Sequence, residues 1–108
     1  MANVYTNKKA SLTSSGATTL YTVPANSRAI VKSILIAEDA SSTATVEVTL
    51  TNASGTAFVV DKEVSLSSKA KEQVLSEPLI MEESEILKVN ATSGAADVIA
   101  SILEINRD

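Results

Sequence analysis

The sequence predicts an all-β protein, an antiparallel, jelly-roll-like β-sandwich of about eight short strands with an extended N-terminal arm. From Thr18 onward, runs of β-favouring residues alternate with short breaks rich in Ser, Ala, Asn and Gly, at the spacing typical of an all-β domain. Residues 45–51 alternate apolar and polar side chains, as a strand with one face in water does. No long segment keeps the period of an amphipathic helix. These observations favour two packed antiparallel sheets.

The chain of 108 residues is predicted to form one domain, residues 18–108, preceded by an arm at residues 1–17. The arm is expected because this segment has few apolar side chains and no sustained period. Two interpretations are open: a frayed terminus, which most such segments are, or a peptide that adds a strand to a neighbour's sheet edge. In the second, the anchoring side chains are Val4, Tyr5 and Leu12.

The predicted strands follow the apolar runs and end at turn-forming residues. Residues 52–57 should join two strands into a hairpin, whose second strand places Phe58 in the core. Lys62 falls on the same apolar face, so it must reach the rim, pair with a carboxylate or mark where this face leaves the core. Pro78 cannot donate a ladder hydrogen bond and predicts an edge strand. The strands are expected at residues 19–23, 29–37, 45–51, 58–66, 73–76, 79–81, 86–91 and 98–105.

Two of these strands, residues 29–37 and 98–105, are apolar on both faces. In the first, the isoleucines share one face and the other aliphatic side chains lie opposite them. A two-layer sandwich buries only one face of each sheet, so the outer faces need a cover. The cover is a loop or arm of the same chain, a shifted register, or a symmetric partner. We expect the partner, because the loops are short, and the predicted oligomer interface is Val31, Leu35, Ile99, Leu103 and Ile105.

The composition disfavours most enzymes. The chain has no Cys and no His, which removes disulfides, thiolate metal sites, thiol nucleophiles and a histidine general base. We therefore expect no enzymatic activity, no cofactor and no metal. The formal charge of −4 disfavours binding to a phosphate backbone, so no nucleic-acid partner is expected. The sequence has neither the pattern of a secretory signal nor an apolar run long enough to cross a bilayer, so no membrane partner is expected either.

Two carboxylate clusters are candidates for metal or glycosidase chemistry. They are Glu38 with Asp39, and Glu82 with Glu83 and Glu85. Neither has the spacing of a calcium loop, and neither has a glycine at a tight-turn position. Charge runs of this kind usually lie in solvated turns. We expect turns between strands rather than sites.

Several stretches of the chain resemble small structural proteins of tailed bacteriophages. LYTVPAN at residues 20–26 is followed by SRAIVKSILIAE at residues 27–38, then by ILKVNA at residues 86–91 and SILEI at residues 101–105. In those proteins a similar YTVPAN segment is followed by an acidic turn, an LKV strand and a final strand ending in LEI. Their turn usually contains Gly-Asp, where this chain has Glu83-Ser84-Glu85. The resemblance covers nearly all of the chain after residue 17.

The resemblance implies a β-sandwich protein of the virion. It favours a capsid decoration or cement protein that sits on the head shell as a symmetric homotrimer and stabilises it. The implied partners are further copies of the chain and the major capsid protein or another virion protein. The implied location is the virion, assembled in the host cytoplasm, without secretion by a signal peptide.

Two alternatives to decoration are open. The first is a component of the tail, the baseplate or the head-tail junction, present at low copy number. The second is a module that binds glycans or proteins of the host surface, which would need a polar patch around Tyr5 or Tyr21. Sugar sites commonly stack their ligands on aromatic side chains, and this chain has no Trp and only two Tyr and one Phe. An enzyme of unfamiliar design is the least favoured function.

Overall fold

The computed structural model describes residues 2–13, 17–38 and 43–106, and within them every regular element is a β-strand. The strands form two antiparallel sheets, which confirms the predicted all-β sandwich. None of the described segments contains a helix long and apolar enough to cross a membrane. The strands are β1 (Ala2–Leu12), β2 (Thr18–Thr22), β3 (Ser27–Glu38), β4 (Ala44–Thr51), β5 (Ala57–Leu66), β6 (Lys71–Gln73), β7 (Leu79–Met81), β8 (Ile86–Ser93) and β9 (Ala96–Asn106).

The strand order is that of a jelly roll. Sheet A has the order β1-β9-β3-β6, with β7 also paired to β3, and sheet B has the order β2-β8-β4-β5. β6 pairs with residues 35–37 of β3 and β7 with residues 29–31, so these two short strands share one edge of sheet A. The chain between them contains Pro78, which cannot donate to a ladder. Each sheet therefore has four strand positions.

Alternate side chains of both sheets meet in one hydrophobic core. Sheet B contributes Val46 and Val48 from β4, and Leu87 and Val89 from β8, all at most 1% exposed. Burying a side chain of this size stabilises the fold by about 1.5–3 kcal/mol. Most core side chains of sheet A come from the two central strands, and Leu12 of β1 and Met81 of β7 add to them. Those of the central strands are Ala29, Val31, Ile34, Ile36, Ala96, Val98, Ala100 and Ile102.

A bulge in β3 changes which of its side chains face the core. The pairing of β3 with β9 shifts register between Val31 and Ser33, and Lys32 is the extra residue. Val31 and Ile34 are both fully buried, so Lys32 and Ser33 both lie on the outer face. Ile30, predicted to share a face with the other isoleucines, lies outward instead. The outer face of β3 is therefore less apolar than unbroken alternation indicates.

The segment predicted as an arm is, over residues 2–12, the first strand of the sandwich. β1 pairs with β9 along its whole length, from Ala2 opposite Asn106 to Leu12 opposite Ala96. Leu12 is 3% exposed and Ala10 also packs against the core. Residues 1 and 14–16 of the predicted arm lie outside the described residues. In this chain the segment extends its own sheet A as an edge strand.

β5 departs from the predicted alternation because its pairing with β4 shifts register twice. Phe58 was expected in the core, but it lies opposite Leu50 near the hairpin turn and is 54% exposed. Lys62 turns away from the core, and its Nζ lies 2.8 Å from Glu47 Oε2. Pairing with a carboxylate is one of the three arrangements predicted for Lys62. The pair is exposed on the Lys62 side, and such pairs contribute little to stability.

Candidate assembly surface

The outer face of sheet A has an apolar row that crosses all four strand positions. Tyr5 of β1 lies opposite Leu103 of β9, Leu103 lies opposite Ile30 of β3, and Ile30 lies opposite Ile80 of β7. Residues directly opposite in antiparallel strands share a face. With neighbouring strands about 4.8 Å apart, the row is about 14 Å long. Tyr5 is 76% exposed and Ile80 66% exposed, so the ends of the row are in water in the single chain.

A second apolar pair lies further along the same face. Ile99 of β9 lies opposite Leu35 of β3, with Lys9 and Gln73 on the outer strands of the same row. Ile99 is 42% exposed. Between the two rows, Ser33 and Ser101 face each other and are small enough to leave the aliphatic side chains prominent. The outer face of sheet A thus combines apolar rows with a narrow polar strip.

Four of the five predicted interface residues lie on this outer face. Leu35, Ile99 and Leu103 point away from the core, because each follows a core residue along its strand, and Ile105 continues the alternation of β9. Val31 does not belong to the surface: it is 0% exposed and packs inside the sandwich. The β3 bulge is the reason, since Ile30 takes the outward position. The face also gains Tyr5 and Ile80, which the predicted interface did not include.

The predicted arm contacts are divided between the surface and the core. Tyr5 lies in the apolar row on the outer face of sheet A. Val4, opposite Glu104, is 42% exposed. Leu12 is buried against its own chain, so it is not free to anchor a neighbour while β1 is paired.

The outer face of sheet B is polar by contrast. Thr19 lies opposite Lys88, which lies opposite Thr49, and Asn90 lies opposite Glu47. The hydrogen bond from Lys62 to Glu47 raises the pKa of the lysine, and the attraction between the two charges adds to the rise. The two outer faces of the sandwich therefore differ in chemistry, and sheet A is the one suited to burial by another protein surface.

The buried tyrosine is not a platform for sugar stacking. Tyr21 is 4% exposed and donates a hydrogen bond of 2.6 Å from its hydroxyl to Glu104 Oε2. Burial, and then the hydrogen bond and the charge of Glu104, raise the pKa of Tyr21. The Nζ of Lys8 lies 6.0 Å from the centre of the ring. Tyr21 is a structural link between the sheets rather than an exposed recognition residue.

The carboxylate clusters hold turns together. Glu38 Oε1 accepts a hydrogen bond of 2.7 Å from the Lys69 backbone N–H, while Asp39 lies outside the described residues. Glu83 Oε2 accepts one of 2.8 Å from the Asn26 N–H, and Glu85 Oε1 accepts one of 2.8 Å from Glu82 N–H. Within the described residues, no group of three or more acidic, His or Cys side chains is placed to hold a metal ion.

No protein-family model matches the chain, and no characterised protein matches it in sequence. Solved structures do share its fold. The core of the Drosophila NLP protein, whose structure was described with pentamer formation and histone binding, has a TM-score of 0.54 at 16% identity, over 93% of this chain and 98% of the other. The virus-like particle of the extra small virus of the prawn Macrobrachium rosenbergii has a TM-score of 0.50 at 13% identity, over 100% and 82% of the two chains. At these identities the likeness shows the fold.

The outward positions of Ile30 and Ile80 are the main features that the sequence analysis missed. Ile80 sits between Leu79 and Met81, and simple alternation in this run places it on the other face of the strand from the buried Met81. That signal was present in the sequence. The position of Ile30 depends on the bulge at Lys32, and nothing in the local residue pattern marks the extra residue.

Proposed function

We propose that the chain is a structural protein of a virus particle, most specifically a capsid decoration or cement protein that sits on the head shell as a symmetric oligomer. The observation that carries the proposal is the apolar row of Tyr5, Leu103, Ile30 and Ile80. Its middle is half-buried, and a single chain leaves its ends, Tyr5 and Ile80, in water. An exposed row across a whole sheet is characteristic of a surface that another protein covers. Its function on this proposal is binding, without catalysis, cofactor or metal.

Two further observations support a particle protein. The jelly-roll strand order occurs in many viral capsid proteins. The prawn virus coat has a comparable fold, and the resemblance of residues 20–38, 86–91 and 101–105 to tailed-phage structural proteins is consistent with it. The resemblance favours a trimer on the head. The alternative location, in the tail, the baseplate or the head-tail junction, differs in copy number rather than in chemistry.

A glycan-binding module of the host surface has less support. Tyr21 is buried, so Tyr5 and Phe58 are the aromatic side chains that the described surface offers. Tyr5 has Leu103 as its cross-strand neighbour and Phe58 has Leu50, both apolar. Sugar recognition needs hydrogen-bonding groups converging around the aromatic ring, and these neighbours provide none.

The proposal is tested by adding the purified protein to heads made by a virus from which its gene has been deleted. We expect the protein to co-sediment with the heads at a saturating ratio comparable to the shell subunits and to raise their melting temperature. The variant Tyr5→Glu/Ile80→Glu should bind far less, because an oligomer that falls apart loses the gain from several simultaneous contacts. Thr19→Glu, on the outer face of sheet B, is the matched control.

Saturation at a few copies per particle would favour the tail or junction. Failure of the wild-type protein to co-sediment with either heads or tails would contradict a particle role. In that case, binding to an array of host glycans would favour the recognition module.

A further inference from the structure

The outer face of sheet A is basic, although the chain as a whole is acidic. Among the strand residues that lie on this face the cations are Lys9, Arg28, Lys32 and Lys71, and the single carboxylate is Asp97. The face therefore has a formal charge of +3 in a chain whose total is −4, so the remainder carries −7. Charge is segregated on this molecule as well as hydrophobicity.

The cations of this face make no ion pair within the described residues. The ion pair found among the described residues joins Lys62 and Glu47 on the other sheet. Lys9 instead donates a hydrogen bond of 3.2 Å to Asn7 Oδ1, and Asp97 accepts one of 2.7 Å from the Ser11 hydroxyl. The cations surround the apolar rows and are available to a partner that brings carboxylates.

A second exposed patch has the matching chemistry. Apart from Val4 on β1, the large hydrophobic side chains exposed on the described surface lie either on the outer face of sheet A or at Phe58 and Val59 of β5. β5 is an edge strand of sheet B. Its remaining length carries Asp61 and Glu63, and the adjacent edge strand β6 carries Glu72. We call Phe58, Val59, Asp61, Glu63 and Glu72 the acidic edge.

We propose that the outer face of sheet A of one copy binds the acidic edge of the next copy. The occupant of the apolar row is then Phe58 with Val59, and the carboxylates of Asp61, Glu63 and Glu72 meet the lysines and the arginine around it. The positive charge of Lys62 does not offset the negative charge of the acidic edge, because it is already paired with Glu47. The inference deepens the proposed function by naming what covers the face, and its test needs no virus particle.

Pairing of two identical outer faces is disfavoured by charge. A two-fold contact would place one face of +3 against another, and like charges brought together at an interface oppose association. The proposed contact joins two different patches, so it is heterologous. Such contacts repeat from copy to copy and close into a ring when the rotation between copies permits. A closed ring of few subunits is the expected assembly.

The test uses two variants that each lose one patch. The face variant is Tyr5→Glu/Ile80→Glu, and the edge variant is Phe58→Lys/Val59→Lys. All four side chains are more than half exposed, so the folded structure should tolerate the changes. Thr19→Glu is the control on the outer face of sheet B. Circular dichroism verifies folding, and sedimentation velocity with native mass spectrometry gives the mass of each protein alone and of an equimolar mixture.

We expect the wild-type protein and Thr19→Glu to form the same oligomer, and each patch variant alone to be monomeric. The mixture should associate again, because the intact face of the edge variant can bind the intact edge of the face variant. An edge variant that still associates alone would overturn the inference in favour of pairing between identical faces. A monomeric wild type, unchanged oligomers of both variants, or a mixture that stays monomeric would overturn it as well.

Failure of this test and failure of the proposed function are distinguishable. A protein that binds heads while remaining monomeric in solution would retain the decoration role and lose the contact between copies. A protein that forms the ring but binds no particle would support the contact between copies and contradict the decoration role.

Discussion

The hydroxyl of Tyr21 on β2 donates a hydrogen bond of 2.6 Å to Oε2 of Glu104 on β9, and so ties sheet B to sheet A. The two residues are 83 positions apart in the chain. Tyr21 is 4% exposed, and its hydroxyl needs a partner because an unsatisfied buried hydroxyl is costly. This contact fixes the position of β2 relative to β9. β9 carries Leu103 on the outer face of sheet A.

Replacing Tyr21 with Phe is expected to lower the free energy of unfolding by about 1.5 kcal/mol at neutral pH, the size of a hydrogen bond to a charged group. Burial and Glu104 raise the pKa of Tyr21 above its ordinary value of about 10. The fold therefore favours the neutral phenol. The contribution is complete below pH about 10 and is lost as the pH rises toward the pKa of the folded state.

Urea denaturation of the wild type and Tyr21→Phe at about pH 8 and about pH 11 measures this difference. The gap between the two proteins should be smaller at the higher pH. A gap that stays constant between these pH values would show that the tyrosine does not titrate with the predicted shift. Glu104→Gln should weaken the same contact and leave the oligomer unchanged.

Of the two glycines in the described residues, Gly94 should be the one that the fold tolerates less when it is replaced. It has a positive φ of 73°, and an added Cβ would collide with the carbonyl oxygen of Thr43. Gly94→Ala is therefore expected to cost more than about 2 kcal/mol of stability. Gly55 also has a positive φ, but an added Cβ there meets no atom within 4 Å, so Gly55→Ala should cost about 1 kcal/mol. Thermal melts of both variants compare them, and equal losses would contradict the steric argument.

The core and the outer face of sheet A should respond differently when an aspartate replaces an apolar side chain. Val48 is fully buried between the sheets, so Val48→Asp should prevent folding, since an unpaired charge in the core is strongly destabilising. Leu103→Asp lies on the outer face of sheet A and should leave a folded protein of lower mass. Circular dichroism and sedimentation velocity separate the two effects. If Leu103→Asp also unfolds the chain, the division between core and assembly surface is incorrect.

Ser84 occupies a backbone conformation that favours glycine. Its φ is 68°, in the acidic turn between β7 and β8. Its N–H donates a hydrogen bond of 3.1 Å to the Val23 carbonyl, which a glycine would retain. Ser84→Gly should raise the free energy of unfolding by about 0.5–1 kcal/mol. Ser84→Ala is the control and should give no increase; a gain of equal size in both variants would exclude the backbone explanation.

The architecture was predictable because strands with one buried face have a strict two-residue period. Residues 45–51 and 86–91 carry this signal, and both lie within strands of the structure, β4 and β8. β1 was not predicted as a strand of this chain's sheet, because an edge strand packs against one neighbour and needs few apolar side chains. Of its eleven residues, Leu12 is buried and Ala10 is partly buried against the core.

The candidate surface was predicted in outline and not in detail. The expectation of an apolar outer face is consistent with Leu35, Ile99, Leu103 and Ile105, whose strand positions follow the alternation. Val31 was assigned to the wrong face because the register shift in β3 reverses the alternation locally, and Phe58 was assigned to the core although it lies at the exposed hairpin end of β5. Such shifts depend on contacts with the neighbouring strand. The basic charge of this face could not be predicted from the sequence either. It depends on the pairing of β1, β3, β6 and β9, which brings together lysines that are distant in the chain.

Quantitative mass spectrometry of purified virus particles tests the proposed role in a particle most directly. The quantity to measure is the copy number of the chain relative to the major shell protein. We predict a ratio of the same order as one chain per shell subunit, as a decoration protein covering the head requires. Absence of the chain from purified particles would contradict the proposed role.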